Sequence, residues 1–170
     1  MLTNLERAGQ RDPLTGTATP TAMHRFVEVA LDLSDSEGLP VALVAIGLDG
    51  LDRIATVEGP DQVDSILLGV ADRLRAGLRS NDLVGRLPQG FAICLPEAFR
   101  SGARNAALRL QRLVAGTPVP TERGPIAIRC SIGLAFGRGP GSPAQDLIAR
   151  ACVALASAQA SGGGQIVIDP

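Results

Sequence analysis

The run from Val41 to Leu48 is apolar at nearly every position, and it constrains the fold more than any other feature of the chain. Its length is that of a strand, and the absence of polar alternation is typical of a strand buried on both faces. Such a strand must be covered by packed layers on each side. The sequence therefore predicts a layered α/β domain built around this run.

Apolar residues at helical spacing recur before and after that strand. They predict helices over residues 22–38, 60–78, 103–114 and 143–161. Two short apolar runs, 83–87 and 91–95, flank Pro88-Gln89-Gly90 and predict a hairpin, and residues 126–136 and 165–168 predict two more strands. Helices interleaved with strands and one hairpin predict an α/β sandwich with a mixed central β-sheet flanked by helices.

A chain of 170 residues has the usual size of one domain. Residues 1–11 are polar and carry no apolar face, so we interpret them as the remnant of a linker or stalk. Asp12-Pro13-Leu14-Thr15-Gly16 is a turn signal, and residues 12–170 form the predicted domain.

Charge and composition disfavour several classes of function. The formal net charge is −1, no basic block is present, and aromatic residues make up 2%, which argues against nucleic-acid binding. All sixteen basic residues are arginines, so lysine, a common point-charge ligand for phosphate, is absent. No apolar run has the roughly 20 residues of a membrane span, and the N-terminus is too polar for a signal peptide, so we expect a cytoplasmic domain.

The cysteines and the histidine predict no metal site. Cys94, Cys130 and Cys152 lie far apart in apolar segments, and we expect them to be reduced core residues. His24 is the single histidine and has no second candidate ligand nearby.

Short motifs follow one another along the chain in a recognisable order. They are Asp12–Gly16, the strand Val41–Asp49, Gly59 and Asp64, the run from Arg79 to Arg86, Ser131-Ile132-Gly133-Leu134-Ala135, and the helix Ala151–Gly162. In this order they resemble the GGDEF family of diguanylate cyclases over residues 12–168. The resemblance implies the nucleotidyl-cyclase-like fold, which is a ferredoxin-like palm.

The resemblance also implies that the cyclase machinery is degenerate. Such enzymes hold metal and GTP phosphates with carboxylates, because charge developing on phosphate needs fixed cations. Gly47 stands where the family has its first metal-binding Asp, and Pro88-Gln89-Gly90-Phe91 replaces the signature turn with its acidic residue. Three further positions depart from the family pattern: Ala55 for a guanine-reading Asn, Ala156 for a Tyr and Gln159 for a Lys. We expect no enzyme activity, no metal and no cofactor.

One family constellation remains. Arg79 and Asp82 match the Arg-x-x-Asp inhibitory site at which the resemblance implies binding of cyclic di-GMP. A guanidinium can donate to a guanine edge or a phosphate, and a carboxylate can accept from guanine N–H groups. The alternative is an i,i+3 ion pair near a helix end. Arg109 or Arg112 is a tentative secondary ligand for this site.

Asp49 and Asp64 match a vestigial nucleotide pocket. Asp49 is the surviving second position of the strand motif, and Asp64 matches a guanine-contacting Asp. The alternatives are a solvated carboxylate at a strand end for Asp49 and a first-turn helix acid for Asp64.

The sequence thus predicts a catalytically inactive GGDEF domain that acts as a regulatory cyclic di-GMP receptor. The alternatives are an interaction or dimerisation module without ligand, a GTP-sensing domain, and a slow cyclase. Expected partners are cyclic di-GMP, other domains of the same protein, a signalling protein or a second copy of this chain. The predicted core comprises Val44, Ile46, Leu67, Val70, Leu74, Ile93, Ile132 and Leu155.

Overall fold

The structure is a computed structural model that describes residues 10–139 and 141–170. Helices and strands are interspersed along these residues, with one pair of consecutive helices and one pair of consecutive strands. Their order is α1 (Pro20–Glu37), β1 (Val41–Asp49), α2 (Leu51–Glu58), α3 (Pro60–Ala76), β2 (Leu83–Leu87), β3 (Gly90–Leu95), α4 (Arg100–Ala115), β4 (Arg129–Gly137), α5 (Ala144–Ala160) and β5 (Ile166–Ile168).

The strands form a five-stranded mixed sheet in the order β2-β3-β1-β4-β5. Strand β1 is central and pairs antiparallel with β3 and β4. Strands β2 and β3 pair antiparallel and form the predicted hairpin. Strand β4 pairs parallel with β5. The sheet and its flanking helices confirm the predicted α/β sandwich.

The apolar run of β1 is buried on both faces of the sheet, as its lack of alternation predicts. Side chains at its even positions, from Ala42 to Leu48, pack in one core cluster with residues of α3 and α4. Side chains at its odd positions, from Val41 to Ala45, pack in a second cluster with α1 and α5. Position 47 therefore faces α5.

The ends of α1 show how local sequence signals fix an element. The Thr19 hydroxyl accepts a hydrogen bond from the Ala22 amide at 3.2 Å, and Pro20 occupies the first turn, where its missing N–H costs nothing. Gly38 ends the helix with φ 75°, a left-handed conformation that glycine adopts without a Cβ clash.

All the predicted helices and strands are present, with ends shifted by a few residues, but the sequence reading missed one helix. Helix α2 has eight residues and none of them is buried, so it is too short for its apolar spacing to repeat over the roughly 11–18 residues from which a helix is recognised. The strand predicted over residues 126–136 began too early, because β4 begins at Arg129. Ile126 lies outside β4 and forms an isolated bridge with Val119.

All eight predicted core residues are buried, with at most 3% of any side chain exposed. Cys94 and Cys130 are buried free thiols. Burial is the main cause that raises the pKa of each thiol to about 12. The negative charge of Asp82 adds to the effect at Cys94, and that of Asp49 adds to it at Cys130. Cys152 is also a free thiol, but the prediction that it belongs to the core was only partly right, because it is half-buried on α5, against the second core cluster.

The first described residues are joined to the domain. The Gln10 carbonyl accepts from the Thr19 amide at 2.9 Å, and Arg11 forms a bridge with Ala18. The rest of the predicted linker remnant 1–11 lies outside the described residues. No helix in the described part of the chain is long and apolar enough to cross a membrane.

Candidate functional site

Arg79 and Asp82 form a compact turn between α3 and β2. The Arg79 amide donates to Asp82 Oδ2 at 3.0 Å, and the Asp82 amide donates to the Arg79 carbonyl at 3.1 Å. The backbone of Arg79, and not its guanidinium, thus contacts the carboxylate, so the i,i+3 ion pair considered from the sequence does not form. The guanidinium has no hydrogen-bond or ion-pair partner among the described residues, and it is exposed.

Arg109 of α4 lies at the same cavity. Its Nη2 donates to the Gly77 carbonyl at the end of α3 at 3.0 Å. Arg79, Asp82 and Arg109 line one cavity of about 380 Å³ together with Glu97, Phe99 and Asn105. Two guanidinium groups and two carboxylates, those of Asp82 and Glu97, therefore line one cavity, contributed by the turn after α3, the segment before α4 and α4 itself.

Arg112, the other tentative secondary ligand, lies elsewhere. It lines a different cavity, of about 330 Å³, with Gly116 and Arg129. Arg112 is in the last turn of α4, where a cation interacts favourably with the negative end of the helix dipole. The structure thus groups Arg109, and not Arg112, with Arg79 and Asp82.

The β2–β3 turn that replaces the family signature is held by Arg86. Its guanidinium donates to the carbonyls of Leu87 and, at 2.7 Å, of Gly90, and it stacks over the Phe91 ring with 5.6 Å to the centroid. A Cβ at residue 90 would lie 2.0 Å from the Ile46 carbonyl oxygen, so only glycine fits where β3 passes β1. The turn is a tightly packed hairpin.

Position 47 faces Gln159. A Cβ on Gly47 would lie 2.6 Å from Gln159 Nε2 and 3.1 Å from a Leu155 methyl. Two positions at which the chain departs from the family pattern, 47 and 159, are therefore in direct contact. The side chain of Gln159 fills the space in front of β1 at this end of the strand.

Asp49 holds three segments together. Its Oδ1 and Oδ2 accept from the buried Ser131 hydroxyl at 2.9 and 3.0 Å, and Oδ2 also accepts from the Gly164 amide at 2.9 Å. Asp49 is therefore a half-buried carboxylate at the strand end, as considered from the sequence, but it is hydrogen-bonded to two other segments as well as solvated. Asp49 links β1, β4 and the loop after α5, and sequence reasoning missed both partners because they lie 82 and 115 residues away.

Asp64 is exposed on α3 and is one turn beyond the first-turn acid of that helix, which is Asp61. Asp49 lines a cavity of about 490 Å³ with Arg53, Glu58 and Arg129, and Asp64 does not reach it. The two residues matched to a nucleotide pocket are therefore not brought together. No group of three His, Cys, Asp or Glu side chains suited to a metal ion occurs in the described ranges.

The fold agrees with comparisons to known proteins. A family model described as diguanylate cyclase, GGDEF domain, matches residues 9–165. The chain belongs to the GGDEF-domain family. This is a family of cyclic di-GMP signalling domains, as the names of its relatives also indicate.

Relatives are distant and longer. The chain is 28% identical over 159 residues to the response regulator PleD of Caulobacter vibrioides, an alignment that covers 92% of this chain and 35% of PleD. It is 27% identical over 161 residues to the cyclic di-GMP phosphodiesterase NbdA of Pseudomonas aeruginosa, covering 94% of this chain and 20% of NbdA. The GGDEF domain is thus a minor part of both relatives.

Solved structures share the fold. The diguanylate cyclase SiaD of Pseudomonas aeruginosa, in complex with its activator SiaC, superimposes with a TM-score of 0.89 at 25% identity, covering 96% of this chain and 63% of SiaD. The coiled coil and GGDEF domain of DgcB from Caulobacter crescentus, in complex with c-di-GMP, superimposes with a TM-score of 0.87 at 20% identity, covering 96% of this chain and 87% of that one.

Proposed function

We propose that this GGDEF domain binds cyclic di-GMP without synthesising it, and that the ligand occupies the cavity of Arg79 and Asp82. The observation that carries the proposal is the convergence of Arg79, Asp82 and Arg109 on one cavity. The family resemblance pairs the first two residues and gives Arg109 or Arg112 as a tentative third, and the shared cavity favours Arg109.

The turn is arranged so that its polar groups remain available to a ligand. Asp82 uses Oδ2 for the Arg79 amide, and Oδ1 accepts no hydrogen bond from a described residue. Oδ1 can therefore accept from the N–H groups of a guanine edge, while the Arg79 guanidinium donates to guanine or phosphate oxygens. Because the backbone hydrogen bonds fix the turn, less conformational freedom is lost on binding.

Arg109 extends the positive charge of the site. Its Nη2 is tethered to the Gly77 carbonyl, which leaves its other N–H groups free to donate to a phosphate of the ligand. The family resemblance implies that cyclic di-GMP binds as a stacked dimer, and such a dimer carries several phosphate charges. A second guanidinium at the cavity wall is suited to that charge.

The residues at the end of β1 and in the neighbouring β2–β3 turn support the proposal that the domain does not synthesise cyclic di-GMP. Phosphoryl transfer needs metal ions held by carboxylates close to the reacting phosphate. Gly47 offers no carboxylate, the turn at Pro88-Gln89-Gly90 has none, and both oxygens of Asp49 already accept hydrogen bonds from Ser131 or Gly164. Too few oxygen ligands remain at this place for a magnesium–nucleotide complex.

The proposal is tested by calorimetric titration of the chain with cyclic di-GMP and, separately, with GTP and Mg²⁺. We expect binding of cyclic di-GMP. We also expect no formation of cyclic di-GMP from GTP when the same protein is incubated with GTP and Mg²⁺. Steady conversion of GTP would contradict the inactive half of the proposal and leave the binding half intact.

Substitutions at the candidate site can remove ligand contacts without disrupting the fold of the turn. Arg79→Ala keeps the backbone amide that donates to Asp82, and Asp82→Asn keeps an oxygen that accepts from it, so both preserve the turn. Each should weaken binding by about 1–3 kcal/mol, since a ligand group loses its partner in a desolvated site. Arg109→Ala should weaken it by a smaller amount.

The matched controls are Gln89→Ala, Arg112→Ala and Arg123→Ala, of which the last removes an exposed arginine in the turn 121–124. None of these residues lines the Arg79 cavity, so affinity should not change at constant salt. The receptor proposal is contradicted if the wild type does not bind cyclic di-GMP, or if the Arg79 and Asp82 variants bind it with wild-type affinity. Either result would leave an interaction module as the function of this domain.

A further inference from the structure

A second cavity, of about 630 Å³, lies between the turn 12–17, helix α1 and the edge strand β2. It shares no lining residue with the cavity of Arg79 and Asp82. Its size falls within the range of small-molecule sites in proteins, roughly 300–1,000 Å³. The function proposed above makes no use of it.

One wall of this cavity is the turn that begins at Asp12, and hydrogen bonds fix it. Asp12 Oδ2 accepts from the Thr15 amide at 2.8 Å and from the Thr15 hydroxyl at 2.7 Å. The Thr15 hydroxyl also lies 2.8 Å from the Thr17 hydroxyl, and both threonines are buried. Because each polar group has a partner, this wall is rigid.

Arg75 of α3 is positioned by the same turn. Its Nη2 donates to the Thr15 carbonyl, and its Nη1 pairs with the exposed Asp72 carboxylate at 3.1 Å. Gly16 has φ +70°, and a Cβ there would lie 3.1 Å from Arg75 Nη2. Glycine at position 16 therefore permits both the turn and the close approach of the guanidinium.

The floor of the cavity is apolar. Helix α1 presents Ala22, Phe26 and Val29 at helical spacing on the face that lines it, and β2 contributes Leu83 and Val84. Val29 remains 58% exposed. An apolar body of a ligand would be desolvated on this surface.

Among the described residues, the charged side chains that line the cavity are all arginines, one of which, Arg75, pairs with the Asp72 carboxylate. Arg11 and Arg25 line it together with Arg75, and no Asp or Glu does so among the described residues. The guanidinium groups of Arg11 and Arg25 are exposed and have no hydrogen-bond or ion-pair partner in the described ranges. Three guanidinium groups around an apolar floor are complementary to an anion that carries an apolar group.

We propose that this cavity binds a small organic anion. Its ring or short apolar chain lies on Phe26 and Val29, and its phosphate, sulfonate or carboxylate group is held by Arg11, Arg25 and Arg75. The cavity volume of about 630 Å³ and the hydrogen-bonded turn favour a small molecule of this class over an extended protein segment.

The test uses three probes with one ring system and different charge: 1-naphthyl phosphate, the neutral 1-naphthol and the cationic 1-naphthylmethylamine. Each is titrated into the isotope-labelled chain, and amide chemical shifts are followed by NMR. We expect 1-naphthyl phosphate to bind with shifts at Thr17, Ala18 and Val84, and added salt to weaken it. The neutral probe should bind about tenfold more weakly, and the cation not measurably.

Two variants examine the charge and the floor separately. Arg25→Ala should weaken 1-naphthyl phosphate about tenfold, as expected for loss of a charge-assisted hydrogen bond. Val29→Asp should abolish binding by placing a carboxylate at the floor. Their matched controls are Arg123→Ala and Val153→Asp, the latter at an equally exposed valine of α5, 68% accessible, that does not line the cavity. All four positions are exposed, so the amide spectrum should remain that of the folded domain.

The Arg79→Ala variant distinguishes this site from the proposed cyclic di-GMP site, since it should bind 1-naphthyl phosphate with unchanged affinity. The proposal is overturned if the three probes bind equally well, if 1-naphthyl phosphate does not bind, or if the Arg25→Ala and Val29→Asp variants bind it like the wild type.

Discussion

Gly47 and Gln159 are in contact across the end of the central strand: a Cβ at residue 47 would lie 2.6 Å from Gln159 Nε2. Position 47 is matched by the family resemblance to a metal-binding Asp and position 159 to a Lys. The two departures from the family pattern therefore occupy one site, and the loss of a side chain at the first is accompanied by a side chain at the second that fills the space.

This contact predicts that substitutions at the two positions are not additive. Gly47→Ala should destabilise the chain by about 1–3 kcal/mol, mainly because the buried Leu155 must shift to admit the methyl group, while the amide end of the exposed Gln159 must also move aside. In a Gln159→Ala background the cost should be smaller by at least about 0.5 kcal/mol. Urea unfolding of the wild type, both single variants and the double variant measures this coupling, and additive free energies would show that Gln159 moves aside without cost.

A second prediction concerns Asp49, which accepts hydrogen bonds from Ser131 and Gly164. Asp49→Ala leaves the fully buried Ser131 hydroxyl without this acceptor and should lower the unfolding free energy by about 1–3 kcal/mol. Removing the hydroxyl as well, with Ser131→Ala, should restore part of that loss. The control Asp64→Ala, at an exposed position, should change stability by less than about 0.5 kcal/mol. Equal losses of unfolding free energy in Asp49→Ala and Asp64→Ala would refute the structural role of Asp49.

The third prediction is about the core cluster that packs α3 and α4 against one face of the sheet. Leu67 is 3% exposed on α3 and Ile132 is fully buried on β4. Replacing either by Ala should cost about 2–5 kcal/mol through lost burial and the cavity that remains. Leu68→Ala is the matched control, since its side chain is 41% exposed on the same helix, and its cost should stay well below that of Leu67→Ala in the same thermal or urea measurement.

The fold could be predicted from the sequence because its strongest signals are periodic. The continuous apolar run of β1 and the helical spacing of α3 each depend on neighbouring residues, so they can be recognised without tertiary information. Helix α2 could not be recognised because it is short and packs only through partly buried residues such as Ile54. Its existence depends on contacts with α3, which a local pattern does not contain.

The candidate site was predictable only where its residues are close together in the sequence. Arg79 and Asp82 are three residues apart, and their spacing is visible in the chain. The grouping of Arg109 with them, and the partners of Asp49, follow from contacts between residues 32 and 115 positions apart. Similarly, the turn at Asp12 is visible as a turn, but its contact with Arg75, 60 residues away, is not.

The last prediction is the pH dependence of that turn. Burial by itself would raise the pKa of Asp12, but hydrogen bonds from the Thr15 hydroxyl and amide and the charge of Arg86 outweigh it, so its pKa lies below the ordinary value of 3.8. A carboxyl group whose pKa is lowered in the folded state stabilises the fold above the unfolded pKa. That stabilisation is lost as the pH falls through the folded pKa. The wild type should therefore be more stable than Asp12→Asn at neutral pH, and the difference should shrink as the pH falls below 3.8. Unfolding curves of both proteins across this range measure the difference, with Asp64→Asn as the exposed control. A difference that stays constant down to the lowest pH at which both proteins fold would show that the charge of Asp12 does not stabilise the turn.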